Sequence, residues 1–150
     1  MQYGHGTINS PRGNSEMITA DKKISLSLLL LRLGVFLVMF MWTVDKFINP
    51  EHALKVYEKF YYLAGLEQII MYSLGSIEML ILLMFVAGYK KKFSYTAVLV
   101  FHAISTLSAF KQYLAPFEGP NLLFFAAWPM LAGCIALFLL REHDKYLSLD

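Results

Sequence analysis

Cysteine is almost absent. Cys134 is the single one among 150 residues, so the chain alone forms no internal disulfide, no CxxC redox centre and no cysteine-based zinc site. The thiol-oxidase class of small four-helix membrane enzymes is excluded with them. Charge is scarce as well. Charged side chains are 16% of residues against 57% hydrophobic, and the mean hydropathy is +0.52, which is not the balance of a soluble domain of this length. The basic residues leave a net charge of only +2 and fall at segment ends instead of along a stripe, so nucleic acid is not expected as a partner. No Gly-rich phosphate loop, HExxH pair or Ser/His/Asp order occurs. A haem between two histidines is not expected either, because His52 and His143 lie at opposite surfaces from each other and His102 has no partner at its own depth. No intrinsic haem, flavin, metal or iron-sulfur site is therefore anticipated.

What the sequence does contain is long apolar runs. Four segments, about residues 24–47, 66–89, 93–114 and 121–140, each have roughly the 20 residues an α-helix needs to cross hydrocarbon. The fold class expected is all-α, an integral membrane four-helix bundle spanning residues 24–150. Residues 1–23 are polar, lack the apolar core of a signal peptide and read as a flexible cytoplasmic tail, with His5 an incidental solvent residue. Between the first two spans, Asn49 is a candidate cap and Pro50 a first helical residue. Ala53, Val56, Tyr57, Phe60 and Tyr61 then make one apolar face, which predicts a short amphipathic helix on the membrane surface. Basic residues set the orientation. Arg12, Lys22, Lys23, Lys90, Lys91, Lys92, Arg141 and Lys145 share one side, against Lys46, Lys55, Lys59 and Lys111 on the other. The positive-inside rule then puts both termini in the cytoplasm of a multi-pass protein.

Polar residues inside these runs call for partners. Between Ile69 and Gly88 the one formal charge is Glu78, and a carboxylate at bilayer depth is costly unless paired, protonated or hydrated. Counted from the nearest basic residue at 1.5 Å per residue, Arg32 lies roughly 14 Å deep, Glu78 roughly 18 Å and His102 roughly 15 Å. Three ionisable residues on three helices thus come to one level, and the expectation is that Arg32, Glu78 and His102 meet in the bundle. Two readings stay open. The cluster is polar glue that fixes helix register, or it contacts a quinone headgroup or relays protons. Arg32 could also snorkel toward the cytoplasmic headgroups and leave Glu78 protonated. Asp45 and Lys46, near Lys111 and Gln112, form a candidate outer interfacial site, with a plain interfacial anchor as the alternative. Gly133 on the fourth span is expected to allow close packing, with Cys134 beside it a small buried hydrophobe.

Several short motifs share an order: Leu30-Leu31-Arg32-Leu33-Gly34, Asp45-Lys46-Phe47, Gly75-Ser76-Ile77-Glu78-Met79-Leu80 and Tyr146-Leu147-Ser148-Leu149-Asp150. Together they resemble the DoxX family of small bacterial and archaeal membrane proteins, over residues 24–150. The chain departs from the family's Gly-x-x-Lys pattern at Trp42-Thr43-Val44-Asp45-Lys46. The resemblance implies a four-helix protein of the cytoplasmic (inner) membrane with Arg32, Lys46 and Glu78 at motif positions. Members are associated with a terminal quinol oxidase or act as membrane subunits of thiosulfate:quinone oxidoreductase. The expectation is a membrane subunit of a quinone-linked oxidoreductase system, surrounded by lipid, with a redox protein partner carrying the electron centre, or a homo-oligomer. The alternatives are a non-catalytic membrane assembly or stress-response protein and, third, a small carrier or lipid-binding protein.

Overall fold

The computed structural model describes residues 11–150, with side chains from residue 17 onward. The described residues are helical, with no strand among them. Helix α1 runs Pro11–Ile48, α2 Pro50–Tyr61, α3 Gln68–Val86, α4 Lys91–Ser108, α5 Phe110–Leu114 and α6 Ala127–Leu139, with 3₁₀ turns at Asn121–Ala126 and Arg141–His143. The segments Met17–Ile48, Gln68–Val86 and Asn121–Leu139 are long and apolar enough to cross a membrane. Helix α4, which carries Lys91, Lys92, Ser94, His102 and Thr106, is not among them.

The four long helices pack in a ring, α1 on α3, α3 on α4, α4 on α6 and α6 back on α1. On α1 the buried residues Ser25, Leu28, Arg32, Val35, Thr43 and Lys46 recur every three or four positions, with the half-buried Met39 filling the step between Val35 and Thr43, the spacing that keeps a stripe on one helical face. It meets Ile81, Leu82 and Phe85 of α3, Tyr95 and Val98 of α4, and Cys134 and Leu137 of α6. The outward faces are apolar instead, with Leu80 62% and Leu107 60% exposed and Leu30, Leu37, Ile77 and Leu139 alongside them. An apolar exterior around a core that holds Arg32, Lys46, Thr43 and His102 inverts the usual soluble arrangement and suits a hydrocarbon surround.

Two glycines set the register of α1 against α3. A Cβ at Gly75 would stand 3.0 Å from the Phe47 ring and 3.3 Å from Lys46 Cβ, and one at Gly88 would stand 2.5 Å from Arg32 Nη1. The helices are thus antiparallel, with Lys46 opposite Gly75 and Arg32 opposite Gly88. Gly88 also ends α3. At φ +60° it lets its N–H donate to Phe85 O (3.0 Å) and the Tyr89 N–H to Met84 O (2.9 Å), which closes the helix as a Schellman turn. Gly133 admits Leu31 Cδ1 at 3.0 Å from its missing Cβ, so it brings α6 close to α1 as expected.

Several expected boundaries shift. Residues 11–23, expected within the tail, continue α1 as helix: past Gly13 nothing in Asn14–Lys23 breaks a helix, and extending one already nucleated by the apolar run is cheap. Residues 1–10, with His5, lie outside the described residues. Asn49 sits at the start of α2 but caps no helical N–H; its amide donates to Asp45 Oδ1 at 3.3 Å. The third apolar segment breaks at Ala109 (ψ +20°), and the fourth opens with a 3₁₀ turn. Helix α2 packs on α1 and α3 near their Lys46 and Gly75 ends, with Ala53 buried and Phe60 against Phe124, ring centroids 5.6 Å apart.

Candidate functional site

Polar chemistry inside the ring gathers at two levels. The 14 residues from Arg32 to Lys46 separate them by roughly 21 Å of helix.

The inner level is built around Arg32, whose side chain is 0% exposed. Its Nη2 donates to the main-chain oxygens of Tyr146 (2.6 Å) and Leu147 (3.0 Å), and its Nη1 donates to the Tyr95 hydroxyl at 3.2 Å. Nη1 also lies 3.4 Å from Asp144 Oδ2, and Asp144 is 0% exposed as well. The Tyr95 O–H donates to that same carboxylate at 2.7 Å, and its ring meets Phe85 edge-on at 5.0 Å. Residues 144–150 form a strap across this end. Ser25 Oγ accepts the N–H groups of Lys145 and Tyr146 (3.0 and 3.2 Å), and Leu149 and Asp150 donate to Ala87 O and Gly88 O. The Asp150 carboxylate accepts the Lys91 N–H at 2.8 Å and so caps the start of α4 from outside the helix. That bond, reinforced by Lys90 and the Lys91 charge, holds the Asp150 carboxyl below its ordinary value.

At the outer level, Lys46 Nζ pairs with Glu78 Oε2 at 2.8 Å, the two side chains 10% and 20% exposed. The Thr43 hydroxyl lies 3.2 Å from the same oxygen and 2.9 Å from Met39 O. The Tyr57 ring of α2 lies 5.8 Å from Lys46 Nζ. Burial, and after it the Glu78 carboxylate, push the Tyr57 phenol above its ordinary range, so it stays a neutral hydroxyl. The close passage of α1 over Gly75 puts Lys46 within reach of Glu78, one turn along α3.

The expected meeting of Arg32, Glu78 and His102 does not form. Arg32 takes Asp144 and the strap, Glu78 takes Lys46 and Thr43, and His102 Nε2 bonds Ala127 O at 3.0 Å with Thr106 Oγ1 at 3.3 Å, tying α4 to the start of α6. The physical reason lies in the depth marker. Counting from Lys23 assumed that α1 enters the bundle there, but Arg32 stands opposite Gly88 and beside Tyr95, four residues into α4 or roughly 6 Å. Arg32 is therefore near the inner end of the ring, where the snorkelling alternative would have it, but buried under the strap. Glu78, ten residues before Gly88, lies roughly 15 Å farther along.

The proposed outer group separates too. Asp45 Oδ2 faces His52 Nδ1 at 2.6 Å while Lys46 turns inward. Lys111 Nζ sits over the Tyr62 ring at 4.9 Å, and the buried Gln112 Oε1 finds no hydrogen-bond partner among the described residues. Asp144, the carboxylate that answers Arg32, was not anticipated. The usable signal was its place just past the fourth apolar segment, on the same side as Gly88.

No protein-family model matches the chain, and no curated protein or solved structure matches it significantly. Its function is therefore argued from these two centres.

Proposed function

We propose that the chain is a four-span protein of a bacterial or archaeal cytoplasmic membrane, with α4 the fourth crossing and both ends cytoplasmic, and that it serves as a DoxX-like membrane subunit of a quinone-linked oxidoreductase system. The apolar outward faces support the membrane placement, and the basic turn at Lys90, Lys91 and Lys92 supports the orientation. One observation carries the function. The Lys46 and Glu78 pair stays partly open between α1 and α3, under Tyr57 and beside Thr43, whereas Arg32 is wholly enclosed by its own chain. A quinone headgroup presents carbonyl acceptors, which the Lys46 ammonium and the Tyr57 hydroxyl can meet; in its reduced form it presents hydroxyls, which Glu78 can accept. The residues at the outer level therefore fit the group, and quinone, when bound, supplies the two-electron chemistry. The electron donor belongs to a partner redox protein.

The second reading, a non-catalytic assembly or stress-response protein, draws support from the inner level, where Arg32, Tyr95 and Asp144 act as a lock. One experiment separates the two. The protein is purified in mild detergent and its bound quinone quantified beside Glu78→Gln and Lys46→Gln. Loss of a charge-assisted hydrogen bond is expected to weaken retention roughly 10- to 100-fold. Quinone that is absent throughout, or equal in all three, refutes the quinone reading.

A further inference from the structure

At the inner end a groove of about 860 Å³ opens between the start of α4 and the chain that follows α6. Four lysines line it, Lys90, Lys91, Lys92 and Lys145, with two carboxylates, Glu142 and Asp150. The carboxylates leave the groove basic by two charges, and both are already engaged. Asp150 caps Lys91 N–H at 2.8 Å, and Lys91 Nζ turns onto the Asp150 main-chain oxygen at 3.4 Å, so this pair belongs to the strap. Glu142 faces Arg141 Nε at 3.3 Å. Among the described residues Lys90, Lys92 and Lys145 make no salt bridge. Three ammonium groups thus flank one concavity with no carboxylate in salt-bridge contact, Lys90 Nζ lying over the Tyr89 ring at 5.6 Å. Beside them the Phe93 side chain, 56% exposed, gives the groove an apolar wall, and Leu139 and Leu140 stand exposed at the end of α6. Unpaired cations next to apolar walls, at the end of helices whose outward faces are apolar, match a molecule with an anionic head and hydrocarbon chains.

We propose that this groove binds the phosphate oxyanion of an anionic phospholipid, with Lys90, Lys92 and Lys145 on the phosphate and Phe93 against the first acyl carbons. The proposal rests on the membrane placement and is independent of quinone binding, whose residues lie at the other level.

The test is thermal unfolding of the delipidated full chain in uncharged detergent, titrated with phosphatidylglycerol, phosphatidylcholine or inorganic phosphate. Phosphatidylglycerol is expected to raise Tm by about 5 °C and phosphatidylcholine to leave it unchanged. The variant Lys90→Gln/Lys92→Gln/Lys145→Gln is expected to bind phosphatidylglycerol on the order of 100-fold more weakly. A rise with inorganic phosphate that the variant loses supports the same oxyanion site with a soluble ligand. Equal rises with both lipids, or an undiminished rise in the variant, overturn the proposal. Should the variant not fold, salt decides on the unaltered protein. At about 1 M, where screening acts within about 3 Å, the phosphatidylglycerol effect must shrink, and its persistence overturns the proposal.

Discussion

Replacing Arg32 by Met asks what the inner lock contributes. The substitution keeps a long apolar stem but removes the cation from Asp144 (3.4 Å) and the donors to Tyr95, Tyr146 and Leu147. Adding each charged hydrogen bond at its full value would overstate the loss, because the two carbonyls regain water once the strap lifts. Asp144 is the larger cost. It is fully buried, its Oδ1 already lacks a partner among the described residues, and removal of Arg32 leaves it with the Tyr95 hydroxyl alone. Breaking one side of a buried ion pair costs about 3–5 kcal/mol, which at about 2–4 °C per kcal/mol for a chain of this size lowers Tm by about 10 °C. Removing both charges behaves differently. Arg32→Met with Asp144→Leu is expected to recover most of that loss, because a buried pair replaced by apolar groups of similar volume is close to neutral. Thermal unfolding in detergent measures both variants, and proteolysis after Lys145 reports whether the strap has lifted. The sign is diagnostic. An Arg32 that merely reached for headgroups would give a neutral or more stable Met variant, and that result, or a double variant no better than the single one, refutes the lock.

Two further outcomes follow from the same end of the molecule. Gly88→Ala is expected to destabilise by about 1–3 kcal/mol, since its Cβ would fall 2.5 Å from Arg32 Nη1 and 3.0 Å from Ser148 Cα at a φ of +60°; Gly34→Ala, with nothing within 4 Å, serves as the control in the same melts. Asp150 gives a pH dependence. Its carboxylate is held below the ordinary 3.8 mainly by the Lys91 N–H, so the ionised form favours the folded state, its contribution is present above about pH 4 and it fades as pH falls below that. The Lys91 amide resonance in micelles should titrate with a midpoint under 3.8 and lose that titration in Asp150→Asn.

Hydrophobic runs made the helices readable, because twenty apolar residues admit few other structures and a Pro at residue 50 or a Gly at 88 marks an end. The inward stripe of Ser25, Arg32 and Lys46 was also legible, since seven-residue spacing keeps a helical face. The pairing across helices was not. Depth was counted from lysines, which mark water but not the point where neighbouring helices start. The true register depends on a methyl-sized gap at Gly75 and Gly88, which only the packed ring reveals. His102 shows the same limit from another side. Its polar partner is the Ala127 carbonyl, at the first residue of α6, and no side-chain pattern announces a backbone acceptor.

The strap has a consequence for how the protein is made. Arg32 and the carbonyl that receives it at Tyr146 stand 114 residues apart, so at ordinary synthesis speeds of about 5–20 residues per second the guanidinium leaves the ribosome roughly 6–23 s before its acceptor exists. For that interval the first helix carries a cation its own fold cannot yet satisfy, and water, headgroups or the insertion machinery must meet it instead. Completion of the lock is thus a late, chain-spanning event, and it makes the order of synthesis part of how the helices find their places.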